Sequence, residues 1–294
     1  MRTALVAARL LVAWGLLASG CAAIPATAPH ERLIVERRVV LAETIAETSG
    51  LALHAGRFWT HNDSGDGPNL YAFDATSGEV LARRTLQDAI NFDWEALAQD
   101  EHFLHVFDCG NNGGRRQWMQ IYSLRWDDLV SHDERPVRSR MTEFSFSDAD
   151  SSGGFNRHNN DCEAATVVDG ELWVFSKNWQ DRQTRLYRLP ADGGRQALTP
   201  QAAYPVEGLI TAVDYDPGRR QLVLLGYELK RFSVSAFIWL MPVVQGEPDW
   251  SRARRYSISP AGQWEAVRWH KDGLWLTRES SLLGQSILGF VPLP

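Results

Sequence analysis

Short apolar runs alternate with polar turns along most of this chain, and between residues 48 and 279 the alternation returns five times in one outline. The five stretches are residues 48–63, 91–112, 161–177, 210–228 and 263–279. Each begins as a strand headed by a polar or acidic residue and breaks at a turn, such as His54-Ala55-Gly56, Asp169-Gly170 or Asp216-Pro217-Gly218. Each then resumes in a strand of aromatic and branched residues, such as 103–107, 172–175 and 274–276. With Ser49, Glu95, Glu163, Thr211 and Glu265 taken as equivalent, the steps between copies are 46, 68, 48 and 54 residues. The next residue in each copy is small: Gly50, Ala96, Ala164, Ala212 and Ala266. Repeats of this length with a small residue in fixed register describe radially arranged blades that crowd at an axis.

Further strands complete the units. Third strands are expected at Asn69–Phe73, 120–124, 185–189, 237–241 and 287–291, and fourth strands at 80–86, 141–146, 201–206 and 254–258. The fifth copy lacks a fourth strand, whereas residues 32–42 (RLIVERRVVLA) read as a β-branched strand with no neighbour to pair with. Pairing the two ends closes the ring and removes its exposed edges. The pattern therefore predicts an all-β protein, a five-bladed β-propeller closed by its N-terminal strand and filling residues 32–294. A six-bladed ring is the alternative, with the extra blade in residues 113–160. Helix is expected only as a turn near residues 126–131, and 147–160 reads as a polar loop.

The first residues have a different composition. Arg2 and Arg9, an apolar run over 10–17, and Ala18-Ser19-Gly20-Cys21 form a basic start, a short apolar centre and a small-residue cut site. That is an export signal, 1–20, too short for an ordinary membrane span. It resembles the lipobox of bacterial lipoproteins, although Ala18 stands where leucine is usual. The resemblance implies lipidation of Cys21, a tether over 21–31, and a lipid-anchored location at the bacterial cell envelope, with simple secretion as the alternative. The whole chain carries a net charge of −6, and removing Arg2 and Arg9 with the signal makes it −8. No basic run or basic, aromatic face is present, which argues against nucleic acid as a partner and leaves a small-molecule substrate or an envelope partner.

In a propeller the first strand of each blade lines the channel. Its starting end shares one face with the loop after the second strand. One mouth would then collect Ser49, Glu95, Glu163, Thr211 and Glu265 as an inner ring. The loops His61-Asn62-Asp63, Asp108 with Asn111-Asn112, Lys177-Asn178, Tyr227-Glu228 and Arg278-Glu279 would form an outer ring. Three converging glutamates require neutralisation, either by Ca²⁺, which suits hard oxygen donors, or by Lys177, Arg278 or Arg115. No His/Cys spacing suggests zinc. Cys109 and Cys162 fall on adjacent blades at the same mouth, where they are either bridged or free.

The series Ser49, Glu95, Glu163, Thr211, Glu265 on five inner strands resembles the calcium-activated nucleotidase (apyrase) family. The resemblance implies a central Ca²⁺ held by those five residues and hydrolysis of nucleoside di- and triphosphates. The loops HNDSGD, DCGNNGGRR and SKNW instead resemble uncharacterised bacterial secreted propellers with HNDSG and DWE motifs. As a calcium-dependent hydrolase of phosphoesters or nucleotides, the chain would use Asp63, Asp108 or His61 as base. Lys177, Arg115 and Arg278 would hold negative charge, and Asn62, Asn111, Asn112 and Glu279 would contact substrate. Other readings are a non-catalytic ligand- or protein-binding propeller with a structural calcium, a lactonase or esterase, or an envelope scaffold. Trp94 and Trp264, beside two of the glutamates, either pack between blades or face the mouth.

Overall fold

Five small, mainly antiparallel sheets surround a central axis. The computed structural model describes residues 31–293, except 134, 151, 191–193, 232 and 283. The export segment, Cys21 and all of the tether but Glu31 lie outside the described residues. Within them no helix is long and apolar enough to cross a membrane.

Blade 1 runs Ala52–His54, Arg57–Thr60, Asn69–Phe73 and Val80–Thr85 from axis to rim. Blade 2 runs Trp94–Gln99, Phe103–Asp108, Met119–Arg125 and Arg140–Phe146. Blade 3 runs Asp161–Val168, Glu171–Lys177, Thr184–Pro190 and Ala202–Tyr204. Blade 4 runs Leu209–Asp216, Gln221–Lys230, Ser233–Val244 and Arg254–Ser259. Blade 5 runs Trp264–His270, Gly273–Arg278 and Ile287–Pro292, and its fourth strand is Arg37–Val40 from the N-terminal end.

Among the described residues there is no sixth blade. Residues 113–160 hold the two outer strands of blade 2, the one-turn helix Trp126–Leu129 and a loop. The strand expected over 32–42 is two strands. Glu31–Ile34 adds a parallel fifth strand to blade 4, and Arg37–Val40 completes blade 5. The change of sheet occurs at consecutive amides: Val35 donates to Ser259 O and Glu36 to Phe290 O, both at 2.9 Å. One chain segment thus fastens two blades together. A second unforeseen exchange takes Gln196–Leu198, between the third and fourth strands of blade 3, to the outer edge of blade 2.

The core is divided among the blade interfaces. Trp59, Trp94, Leu104 and Trp126 fill the space between blades 1 and 2, and Phe107, Phe144, Leu172 and Tyr187 that between blades 2 and 3. Leu33 and Val35 join Ile238, Trp264 and Leu276 between blades 4 and 5. Val35 is 1% exposed. Val35→Ala should therefore cost about 2 kcal/mol in a urea titration, because a buried methyl pair is deleted in a rigid interface. A loss below about 0.5 kcal/mol would show that the N-terminal segment does not hold the ring closed.

The candidate cation site at the channel mouth

Four of the five inner strands carry the same irregularity at their start. The pairing register shifts between Trp94 and Ala96, Cys162 and Ala164, Ile210 and Ala212, and Trp264 and Ala266. The skipped residues are Glu95, Glu163, Thr211 and Glu265. A bulge leaves one residue out of the ladder and re-aims its side chain, which is how blades 2, 3 and 5 deliver Glu95, Glu163 and Glu265 toward the axis. The small residue after each inner-ring position is a packing requirement: a Cβ on Gly50 would lie 2.6 Å from both His61 Nε2 and Leu97 Cγ.

The mouth is a cavity of about 210 Å³ whose lining includes Asp63, Glu95, Glu163, Glu265 and Glu279 with Lys177. Ser49, Asn112, Trp179, Tyr227 and Gln263 complete it. Beneath it the channel narrows to about 10 Å³ among Leu51, Leu97, Val213 and Val267, room for about one water. The site is a cup with an apolar floor.

Its charge is unbalanced. Lys177 Nζ is ion-paired with Glu163 Oε1, and both side chains are nearly buried, at 6% and 5% exposure. Burial alone would lower the Lys177 ammonium, but the Glu163 carboxylate outweighs it and holds the pKa well above the usual lysine value. The ammonium also lies 5.0 Å from the Trp179 ring and 5.6 Å from that of Tyr227. Four carboxylates of the lining are left without a cation. Burial, then the charges of Glu163, Asp63 and Asp93, push Glu95 well above the ordinary glutamate range. Burial and the facing Asp93 push Asp63 up to about 8, and burial with Glu265 pushes Glu279 up to about 7.

Asp63, Asp93 and Glu95 bring one carboxylate oxygen each within 4.8 Å of one another. Asp63 Oδ1 is buried with no hydrogen-bond partner. Gly110 permits the approach, since a Cβ there would fall 2.3 Å from Asp93 Oδ2 and 2.4 Å from Glu95 Oε1. These donors fit a hard divalent cation: oxygen only, mutually repelling, and with an orphaned acceptor between them.

The inner ring is only partly assembled. Ser49, Glu95, Glu163 and Glu265 line the cavity. Ser49 Oγ donates to Glu95 O at 3.0 Å, and Thr211 Oγ1 donates to Trp264 O at 2.7 Å, so both hydroxyls tie their blade to the next. Asp108 is fully buried, pairs with Arg116 at 2.7 Å and accepts the Asp93 amide at 3.2 Å. His61 is buried edge-on against Trp94, with Nδ1 3.0 Å from Asn62 O, and burial lowers its pKa to about 4. Asn62 braces Thr44 O and Asp66, and Asn111 braces Asn160 O and Arg116, whereas Asn112 faces the cup. Arg115 is exposed, and Arg278 bonds Gln285 O. Neither lines the cup. Trp94 and Trp264 are fully buried and donate to Ile90 O and Pro260 O.

Cys109 and Cys162 form a disulfide, with Cα atoms 5.4 Å apart, joining blade 2 to blade 3 beside Asp161 and Gly110. Sequence reasoning passed over Asp93. The signal was present two positions before the bulged residue, where Glu47, Asp93, Asp161 and Gln263 stand in four of the five copies. Gln263 lines the cup, while Asp161 is buried and accepts from Asn111 N and Trp179 Nε1.

No protein-family model matches the chain, and no curated protein matches it. Solved structures do. A hypothetical protein from Leishmania major is 10% identical with a TM-score of 0.49, over 88% of this chain and 91% of that one. A DUF4221 family member from Bacteroides vulgatus is 9% identical with a TM-score of 0.42, over 88% and 97%. Hydrazine synthase of Kuenenia stuttgartiensis is 11% identical with a TM-score of 0.45 over 81% of this chain, which spans 57% of that one. The five-bladed propeller rests on the sheets described above rather than on these likenesses.

Proposed function

We propose that the chain is a calcium-binding propeller of the cell envelope, anchored through Cys21, whose cup binds a neutral or cationic small molecule beside the ion. The observation that carries it is the group of the partly buried Asp63 and Asp93 with the buried Glu95, together with the unpartnered Asp63 Oδ1. Glu163 takes no part in this group because Lys177 already neutralises it. An acid excess in the lining disfavours phosphoesters and nucleotides: the single cation there is engaged, and Arg115 and Arg278 lie elsewhere.

The test is calorimetric titration of Ca²⁺ into EDTA-stripped protein. Binding is expected, with about 2.7 kcal/mol of added stability at a hundredfold excess over Kd. Absence of both heat and a melting shift would overturn the reading. The pH dependence has a definite sign. Asp63 is raised in the fold from an ordinary 3.8 to about 8. Between those values the unfolded chain binds fewer protons than the native one, so metal-free stability falls as pH rises from about 4 to about 8. Ca²⁺ competes with that proton, so its affinity should rise through the same window, with protons released at pH 7. Asp93→Asn should weaken binding at least about tenfold.

One observation favours a second reading, hydrolysis of a neutral ester or lactone. Glu279, pushed up to about 7 at the rim of the cup, is suited to move a proton at neutral pH. The ion, when bound, would polarise a carbonyl oxygen. Ester and lactone turnover abolished by Glu279→Gln, with Ca²⁺ binding intact, would establish it; no turnover on phosphoester, ester or lactone panels leaves the binding module.

A further inference from the structure

We propose that blade 2 carries a second ligand site, for an amphipathic monocarboxylate, at the end of the molecule opposite the acidic cup. The site is a cavity of about 490 Å³, within the range of small-molecule pockets. It is built on three neighbouring strands. Cross-strand pairing sets His105, Ser123 and Arg140 in one row and Phe103 beside Arg125 in the next. Phe103 starts the strand that Asp108 ends at the cup, so the two sites are about 17 Å apart along it.

The floor is uncharged. The Phe103 and His105 rings lie 6.2 Å apart. His105 is 2% exposed, with Nδ1 2.8 Å from Ser123 Oγ and Nε2 without a partner. Burial lowers the imidazole to about 4, so at neutral pH it adds polarity but no charge. The wall is basic: Arg125, Arg138 and Arg140 stand in the lining against one carboxylate, Asp128. Arg125 lies over the Phe103 ring at 5.6 Å, and its ion pair with Asp127 is long, at 3.4 Å, and exposed.

An apolar floor with a guanidinium wall selects a ligand with a hydrocarbon or aromatic body and one anionic head. A hydrocarbon gains by covering the partly exposed Phe103 ring, and a planar carboxylate matches the guanidinium fork. Inorganic phosphate lacks the body, and an alkylammonium is repelled. Nothing in this chemistry involves the cup, so this inference and the calcium reading stand or fall separately.

The experiment titrates octanoate, 1-octanol and octylammonium, all below micellar concentration, into the purified full chain by calorimetry. Octanoate is expected to bind, octanol at least about tenfold more weakly, and octylammonium not at all. Arg138 is exposed, so Arg138→Glu should keep the wild-type melting temperature and Ca²⁺ titration while losing at least about tenfold in octanoate affinity. Equal binding of octanol and octanoate, unchanged octanoate affinity in Arg138→Glu, or no octanoate binding would each overturn the proposal.

Discussion

Replacing Lys177 with methionine is expected to destabilise the protein by about 3–5 kcal/mol, the cost of leaving one member of a buried ion pair alone. Lys177 ends the second strand of blade 3, opposite Asp161 in register, and reaches Glu163 on the inner strand. Both groups are almost wholly buried, so water cannot take over the solvation of Glu163 when the ammonium is gone. The neighbouring charges of Asp161 and Glu265 already oppose ionisation of Glu163. The variant can recover only by protonating that glutamate. Its deficit should therefore be largest at alkaline pH and shrink as pH falls. The double variant Lys177→Met/Glu163→Gln should regain most of the loss, because the stranded charge is removed. Urea titrations at two pH values decide this. A single-variant loss below about 1 kcal/mol would mean that the pair is not buried in solution.

Opening the Cys109–Cys162 bridge is expected to cost about 4 kcal/mol by the chain-entropy relation for its sequence separation of 53 residues. The bridge also braces the candidate cation site. Cys109 N and Gly110 N both donate to Asp93 O at 3.1 Å, and Glu163 follows Cys162 directly. Cys109→Ser/Cys162→Ser should thus lower the melting temperature and weaken Ca²⁺ binding together. An Asp93→Asn variant should weaken Ca²⁺ without the first effect, because Asp93 is only partly buried and its carboxylate lies among others that repel it. Two free thiols in oxidised protein, found by mass spectrometry, would remove the bridge and this prediction with it.

Much of the blade skeleton is legible in the chain because the repeated strand–turn–strand outline and the small residue after each inner-ring position answer to local constraints. Glu95, Glu163 and Glu265 reach the cup for the same reason: each sits at the bulge that its own hairpin makes. Thr211 shares the register but sends its hydroxyl to Trp264 O, since a hydroxyl satisfies an inter-blade carbonyl where a carboxylate cannot. Arg115 and Arg116 were indistinguishable by composition, and loop geometry alone assigns Arg116 to Asp108.

The sequence by itself determined the repeated blade, the ring closure by the N-terminal segment and the end of the channel where carboxylates gather. These follow from repetition, where each copy repeats the evidence of the others. The tertiary structure chose five blades over six. Only the tertiary structure decided that Lys177 neutralises Glu163 and that Asp93 joins Asp63 and Glu95. It alone showed one segment fastening blades 4 and 5. Those facts depend on which side chains of different blades meet across the axis, and the distances between blades are set by packing at five separate interfaces. Local pattern carries no record of them.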